Sequence, residues 1–271
     1  MSNPVLDRGF QKPQRWDEIA MGGARGGVGL DTPHARALPG TMTLQGTILA
    51  SFVLLGLCAA SAYFVYFGLR AGTLAPSIMI PLLLGSSIGS IILGFVITMN
   101  PRSAVFLSPV GALAQGVLVG AISYVVPQYY KGVGEGVVLQ ALGLTFGIFA
   151  MLLVGYASGL VRLGGVAARV VITATAGVCF FYLASFVASL FGFHGMRSVI
   201  WDNSPIGIGF SAVVVVLASL NLVLNFQMID EGQRQGMPRY MEWYGAYGLL
   251  VTVVWLYLEI LRLLAKLQSR D

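Results

Sequence analysis

The chain has 271 residues, 56% of them hydrophobic and only 10% charged, far from the roughly one-quarter charged residues of a soluble domain. Nine of its 27 charged residues sit in the first 42 positions, and most of the others cluster between long apolar runs. That distribution identifies an integral membrane protein and excludes a disulfide scaffold, a collagen-like chain and a mainly disordered one.

In chain order, residues 1–42 form a polar leader, expected to be flexible and cytoplasmic. Its run from Gly22 to Gly29 has no strand pattern before it and no Lys-Ser or Lys-Thr to close it. A tether is therefore expected rather than a phosphate cradle. Residues 43–271 form the membrane domain. About 20 apolar residues are needed to cross a hydrocarbon core of about 30 Å, and seven stretches qualify: 46–69, 77–99, 104–126, 137–159, 168–192, 205–227 and 244–266. The fold class predicted is an all-α membrane protein, a seven-transmembrane-helix bundle. Between the second and third spans the only break is Asn100-Pro101-Arg102; Pro disfavours helix in the residue before it, so a tight turn is predicted there.

Cys58 and Cys179 each lie inside an apolar run and are expected to be small buried hydrophobes. Small residues recur four apart at Gly85/Gly89, Gly116/Gly120 and Gly155/Gly159, a spacing that lets helix backbones approach. An odd number of spans argues against a simple two-fold inverted repeat. Counted on alternate sides, ten of the 16 basic residues fall with the N-terminus and six opposite, the six including Arg262 and Lys266 near the C-terminus. The excess predicts a cytoplasmic N-terminus in the cell (inner or plasma) membrane. The net charge of +5 is then an orientation signal. No run of basic residues interleaved with aromatics appears, so the expected surroundings are a lipid bilayer and not nucleic acid.

Polar groups at membrane depth are costly and are the first functional candidates. Two charges lie well inside a span, Glu259 and Arg262, three apart and so on one face of the last helix. They read either as a self-neutralising pair or as a carboxylate lining an ion path. The sixth span carries Asn221 and Asn225 on one face, followed by Gln227, Asp230 and Glu231. These residues suit interhelical hydrogen bonds, and equally oxygen ligation of a hard cation.

Enzymatic chemistry finds little to work with, and no catalytic residue is assigned. The histidines, His34 and His194, lie outside the spans, which removes a membrane-embedded Ser-His protease or histidine-rich metal site. No Asp lies inside a predicted span, as an aspartyl protease would need. His194 and Asp202 share one loop, too little for a metalloenzyme. Lys266 stands at the very end of its span, not at its middle as a retinal protein requires.

Three stretches of the membrane region, together with Ser2-Asn3-Pro4-Val5-Leu6 in the leader, carry a family resemblance. They are Gln115-Gly116-Val117-Leu118-Val119-Gly120-Ala121-Ile122-Ser123, Gln140-Ala141-Leu142-Gly143-Leu144-Thr145-Phe146-Gly147, and Tyr240-Met241-Glu242-Trp243-Tyr244-Gly245-Ala246 continuing into Trp255-Leu256-Tyr257-Leu258-Glu259-Ile260-Leu261-Arg262. Over about residues 42–267 the chain resembles the Bax inhibitor family of multi-span membrane proteins, in a bacterial branch with a longer leader. The resemblance implies a seven-helix bundle with the last helix central and a pH-sensitive calcium leak channel or transporter. It implies calcium as the transported ion and no cofactor.

In bacterial relatives an acid late in helix six and another in helix seven form a proton-sensing pair. By motif position these fall on Asn225 and Glu259, which also become the calcium contacts. Asn225 departs from the pattern, because it can ligate a cation but cannot titrate; weaker or shifted pH gating is expected. Asp230 is a partial substitute, Arg262 a neighbour of the path, and Arg102 a partner for the acidic cytoplasmic mouth. The alternative expectation is a non-conducting interaction protein that regulates membrane-protein partners such as membrane proteases.

Overall fold

The computed structural model describes residues 40–130, 132–134, 136–192 and 204–269. The leader's glycine run, His34, Lys131, His194, Arg197 and Asp202 lie outside the described residues. Seven helices are long and apolar enough to cross a membrane: α1 Leu44–Arg70, α2 Met79–Met99, α3 Ala104–Tyr129, α4 Gly136–Ala157, α5 Gly165–Leu190, α6 Pro205–Arg234 and α7 Met241–Gln268. The all-α expectation therefore stands. Without water in the bilayer core a helix satisfies every backbone group within itself, which is why such long apolar runs fold this way.

The helix ends follow local chemistry. Thr43 caps α1 by accepting from the Gly46 N–H at 2.9 Å. Ser204 does the same for Gly207 at the start of α6 at 3.2 Å, with Pro205 in the first turn where its missing N–H costs nothing. The break at Asn100-Pro101-Arg102 is as expected: α2 stops at Met99, a single 3₁₀ turn covers Pro101–Ser103, and α3 begins at Ala104. Helix α6 runs further than hydropathy predicts, to Arg234 and not 227.

Helix α7 packs against α1, α3, α4 and α6. Within its apolar stretch 61% of the residues are buried, against 11% in α5. Outward positions on the other helices are large and apolar, among them Phe106, Phe64 and Phe180, as expected of surfaces facing hydrocarbon. Cys58 is buried, but Cys179 faces outward, contrary to expectation.

Of the three glycine pairs, one serves a helix contact. A Cβ on Gly116 would run into the Cys58 carbonyl, and one on Gly120 would stand 2.5 Å from the Ala62 carbonyl oxygen. Both hold α3 against α1, where the Ser61 hydroxyl also donates to the Leu113 carbonyl at 3.0 Å. Gly85 and Gly89 meet nothing, and Gly155 meets the Val161 side chain beyond the end of its own helix.

The first described residues are tied to the start of α7. Met42 is buried and donates its N–H to the Met237 carbonyl at 2.6 Å, and Arg239 donates to the Gly40 carbonyl at 3.0 Å. The last residues of the expected leader thus belong to the bundle.

Candidate functional site

Positions 259, 262 and 266 of α7 lie three and four residues apart, so they share one face. Glu259 is 1% exposed. Its Oε1 accepts from the Tyr182 hydroxyl of α5 at 2.9 Å and the Trp255 indole N–H at 3.3 Å. Arg262 Nη1 donates to both carboxylate oxygens, at 3.2 and 3.1 Å, and to the Tyr182 hydroxyl oxygen at 3.0 Å. The guanidinium also lies over the Tyr182 ring, 5.5 Å from its centroid, where the ring face attracts a cation. Glu259 and Arg262 are thus paired with each other on one face of α7. A buried carboxylate is acceptable because a charged partner and two neutral donors replace its water.

Two further charges are buried that hydropathy places at span ends. Lys266 is fully buried, its Nζ donating to the Gly207 carbonyl and the Ser211 hydroxyl, both at 2.9 Å and both in the first two turns of α6. Glu242, in the first turn of α7, is 5% exposed and accepts from Thr43 N–H at 2.9 Å and Thr43 Oγ1 at 2.8 Å, with Arg239 at 3.8 Å. The buried charges of α7 are therefore not limited to Glu259 and Arg262. The signal for Lys266 was its heptad spacing from Glu259; that for Glu242 was its place in the polar–aromatic run beginning at Tyr240.

The helix-six candidates do not join Glu259. Asn225 Nδ2 donates to Thr252 Oγ1 on α7 at 2.7 Å, and Thr252 in turn donates to the Gly248 carbonyl at 3.0 Å. Asn221 reaches the other way, to Thr175 Oγ1 of α5 at 2.7 Å. The contacts Asn225–Thr252 and Ser211–Lys266 fix an antiparallel register, since both partners step by 14 residues between them. Counting seven residues along each helix from either contact brings Ala218 to the level of Glu259. Ala218 is fully buried. Asn225 is about 10 Å further along α6 at about 1.5 Å per residue, so the two residues expected to share calcium do not form one site.

Asp230 and Arg102 also fall elsewhere. Asp230 lies 12 residues beyond Ala218, about 18 Å by the same rise, too far to substitute for an acid beside Glu259. It accepts from the Tyr156 hydroxyl and pairs with Arg234, each at 3.1 Å. Arg102 is exposed on the 3₁₀ turn, and among the described residues no hydrogen bond or ion pair joins it to Asp230 or Glu231. The α6 extension supplies the reason: Arg234, one turn beyond Asp230, takes the place given to Arg102. Gln227 donates to the Leu163 carbonyl in the α4–α5 connection at 3.0 Å.

Compared with known families, residues 3–269 match the Bax inhibitor 1 like family, nearly the whole chain. The chain belongs to the Bax inhibitor 1 like family. No curated protein and no solved structure matches it. In this chain Glu259 of α7 is held by Arg262 and Tyr182, with Ala218 of α6 at its level.

Proposed function

We propose that this Bax inhibitor 1 like protein is a non-enzymatic cation leak pathway, calcium being the expected ion, controlled at Glu259. One observation supports the reading most: a fully buried carboxylate whose charge is balanced by Arg262 on its own helix and which accepts a hydrogen bond from Tyr182 of another. Such a cluster is a lock. While Arg262 holds both carboxylate oxygens, Glu259 offers a passing cation nothing, and the path is closed. In this reading the step that opens the path is the parting of Arg262 from Glu259, a pair that Tyr182 braces from α5. Among the described residues Tyr182 is the α5 side chain that bonds Glu259, so moving α5 away from α7 would loosen the cluster while leaving Glu259 with Arg262 and Trp255 on its own helix.

In this reading α7 is the central helix and the N-terminus faces the cytoplasm of the cell membrane. The basic-residue count favours that orientation more strongly once Arg262 and Lys266 are assigned to the interior of α7, leaving ten basic residues against four. Calcium flux into proteoliposomes tests the proposal: Glu259→Gln should abolish the pH response, and an unchanged response would remove Glu259 from the mechanism.

A second reading is favoured by the same neutralised pair. A bundle whose one acid at that depth is paired, with Ala218 at its level, suits a non-conducting regulator of membrane-protein partners. Deleting residues 1–39 separates the two readings, since a leak should survive it and a docking protein should lose its partners. The deletion stops before Gly40 because Met42 and Thr43 hold α7.

A further inference from the structure

Helices α1 and α4 flank a cavity of about 700 Å³ without packing closely against each other, and α3 and α7 form its floor. The walls are apolar side chains that face outward, among them Tyr63, Phe67, Leu139 and Phe146. The slot is therefore open sideways to whatever surrounds the bundle. The hydroxyls on its floor and inner wall, Ser123, Tyr257 and Thr145, are satisfied within the protein. Ser123 and Tyr257 bond each other at 2.7 Å, and Thr145 donates to the Ala141 carbonyl at 2.7 Å. A slot of this kind offers water few partners and holds hydrocarbon readily.

Its length and polarity point the same way. Along α1 the lining runs from Arg70 to Leu55, about 22 Å at about 1.5 Å per residue. Along α4 it runs from Gly136 to Phe146, about 15 Å, the depth of one leaflet in a core of about 30 Å. Arg70, the last residue of α1, stands at the mouth with Tyr66 and Tyr63 one and two turns below it. A basic residue above aromatic rings is the arrangement found at the headgroup level of membranes. A guanidinium has five donors, so Arg70 can serve a protein neighbour and a phosphate together.

We infer that the slot between α1 and α4 is a binding site for an anionic phospholipid, with one acyl chain between the helices and the headgroup phosphate at Arg70. The inference is independent of whether the bundle conducts ions. The cavity volume is ordinary for a small-molecule site, about 300–1,000 Å³, and the site adds selectivity to what would otherwise be bulk lipid.

The test uses the full chain in vesicles of phosphatidylcholine containing phosphatidylglycerol with a photoactivatable group on one acyl chain. Labelling should fall on the α1 segment 55–67 and the α4 segment 138–146. Ala59→Trp on one wall and Leu142→Trp on the other should each fill the slot. Each should cut that labelling about tenfold, equivalent to losing about two buried methylenes. Arg70→Gln should lower the preference for the phosphatidylglycerol probe over a matched phosphatidylcholine probe by about fivefold, the share of one basic group near an anionic headgroup. Two tryptophan variants that fold, judged by their helical circular dichroism, yet label as the parent does would overturn the slot. A preference surviving Arg70→Gln would overturn the headgroup assignment.

Discussion

Arg262→Gln leaves Glu259 almost fully buried with the Tyr182 hydroxyl and the Trp255 N–H as its remaining partners. Removing one member of a buried ion pair costs about 3–5 kcal/mol, because the other charge stays in a low dielectric. The low end applies here, since two neutral donors remain and the Arg262 side chain is 16% exposed. Glu259→Gln should cost less, about 1–3 kcal/mol, because the amide keeps an acceptor for Tyr182 while Arg262 can extend toward the interface. With both replaced, no unpaired charge is left. The double variant should then lie above the sum of the single losses by at least about 1.5 kcal/mol. Reversible unfolding of the four proteins in detergent micelles measures this cycle. Additivity within about 0.5 kcal/mol would refute the idea that the two residues form one energetic unit. The same Arg262→Gln protein, reconstituted, should leak calcium faster than the parent, since it lacks the lock.

Three other outcomes follow from particular contacts. Ala218→Asp puts a second acid at the level of Glu259 and should steepen the pH dependence of calcium flux, whereas Asn225→Asp, about 10 Å along α6, should not; the reverse ranking in a pH series would show the α6–α7 register to be wrong. Gly116→Ala drives a Cβ into the Cys58 carbonyl and should destabilise the α1–α3 contact by about 1–3 kcal/mol in the same micelle assay, with Gly85→Ala near neutral. Glu242→Ala removes the acceptor for both Thr43 donors and should cost about 1–3 kcal/mol, with amide hydrogen exchange rising at Thr43 and Met42.

The number of helices and the α2–α3 turn were legible in the sequence because each rests on a local rule. A run of about 20 apolar residues must be helical in lipid, and Pro101 must end the helix before it. What hydropathy could not reveal was a helix continuing past the apolar run. Gln227 to Arg234 is polar, yet it stays helical because Ile229 and Gly232 are covered while Asp230 pairs with Arg234. Lys266 and Glu242 escaped for a related reason: at a span end, sequence does not show which neighbour will bury a side chain. Spacing did single out Glu259 and Arg262, since three residues on a helix is a contact in itself. The partner on α6 was not legible, because it depends on a register between two helices that contacts at their far ends set.

Calcium flux into proteoliposomes, measured across a pH series for the parent and for Glu259→Gln, tests the central claim most directly. Control at Glu259 predicts a flux that varies with pH in the parent and a flat profile in the variant. A variant that conducts with the parent's profile, or a parent that conducts at no pH, would contradict it.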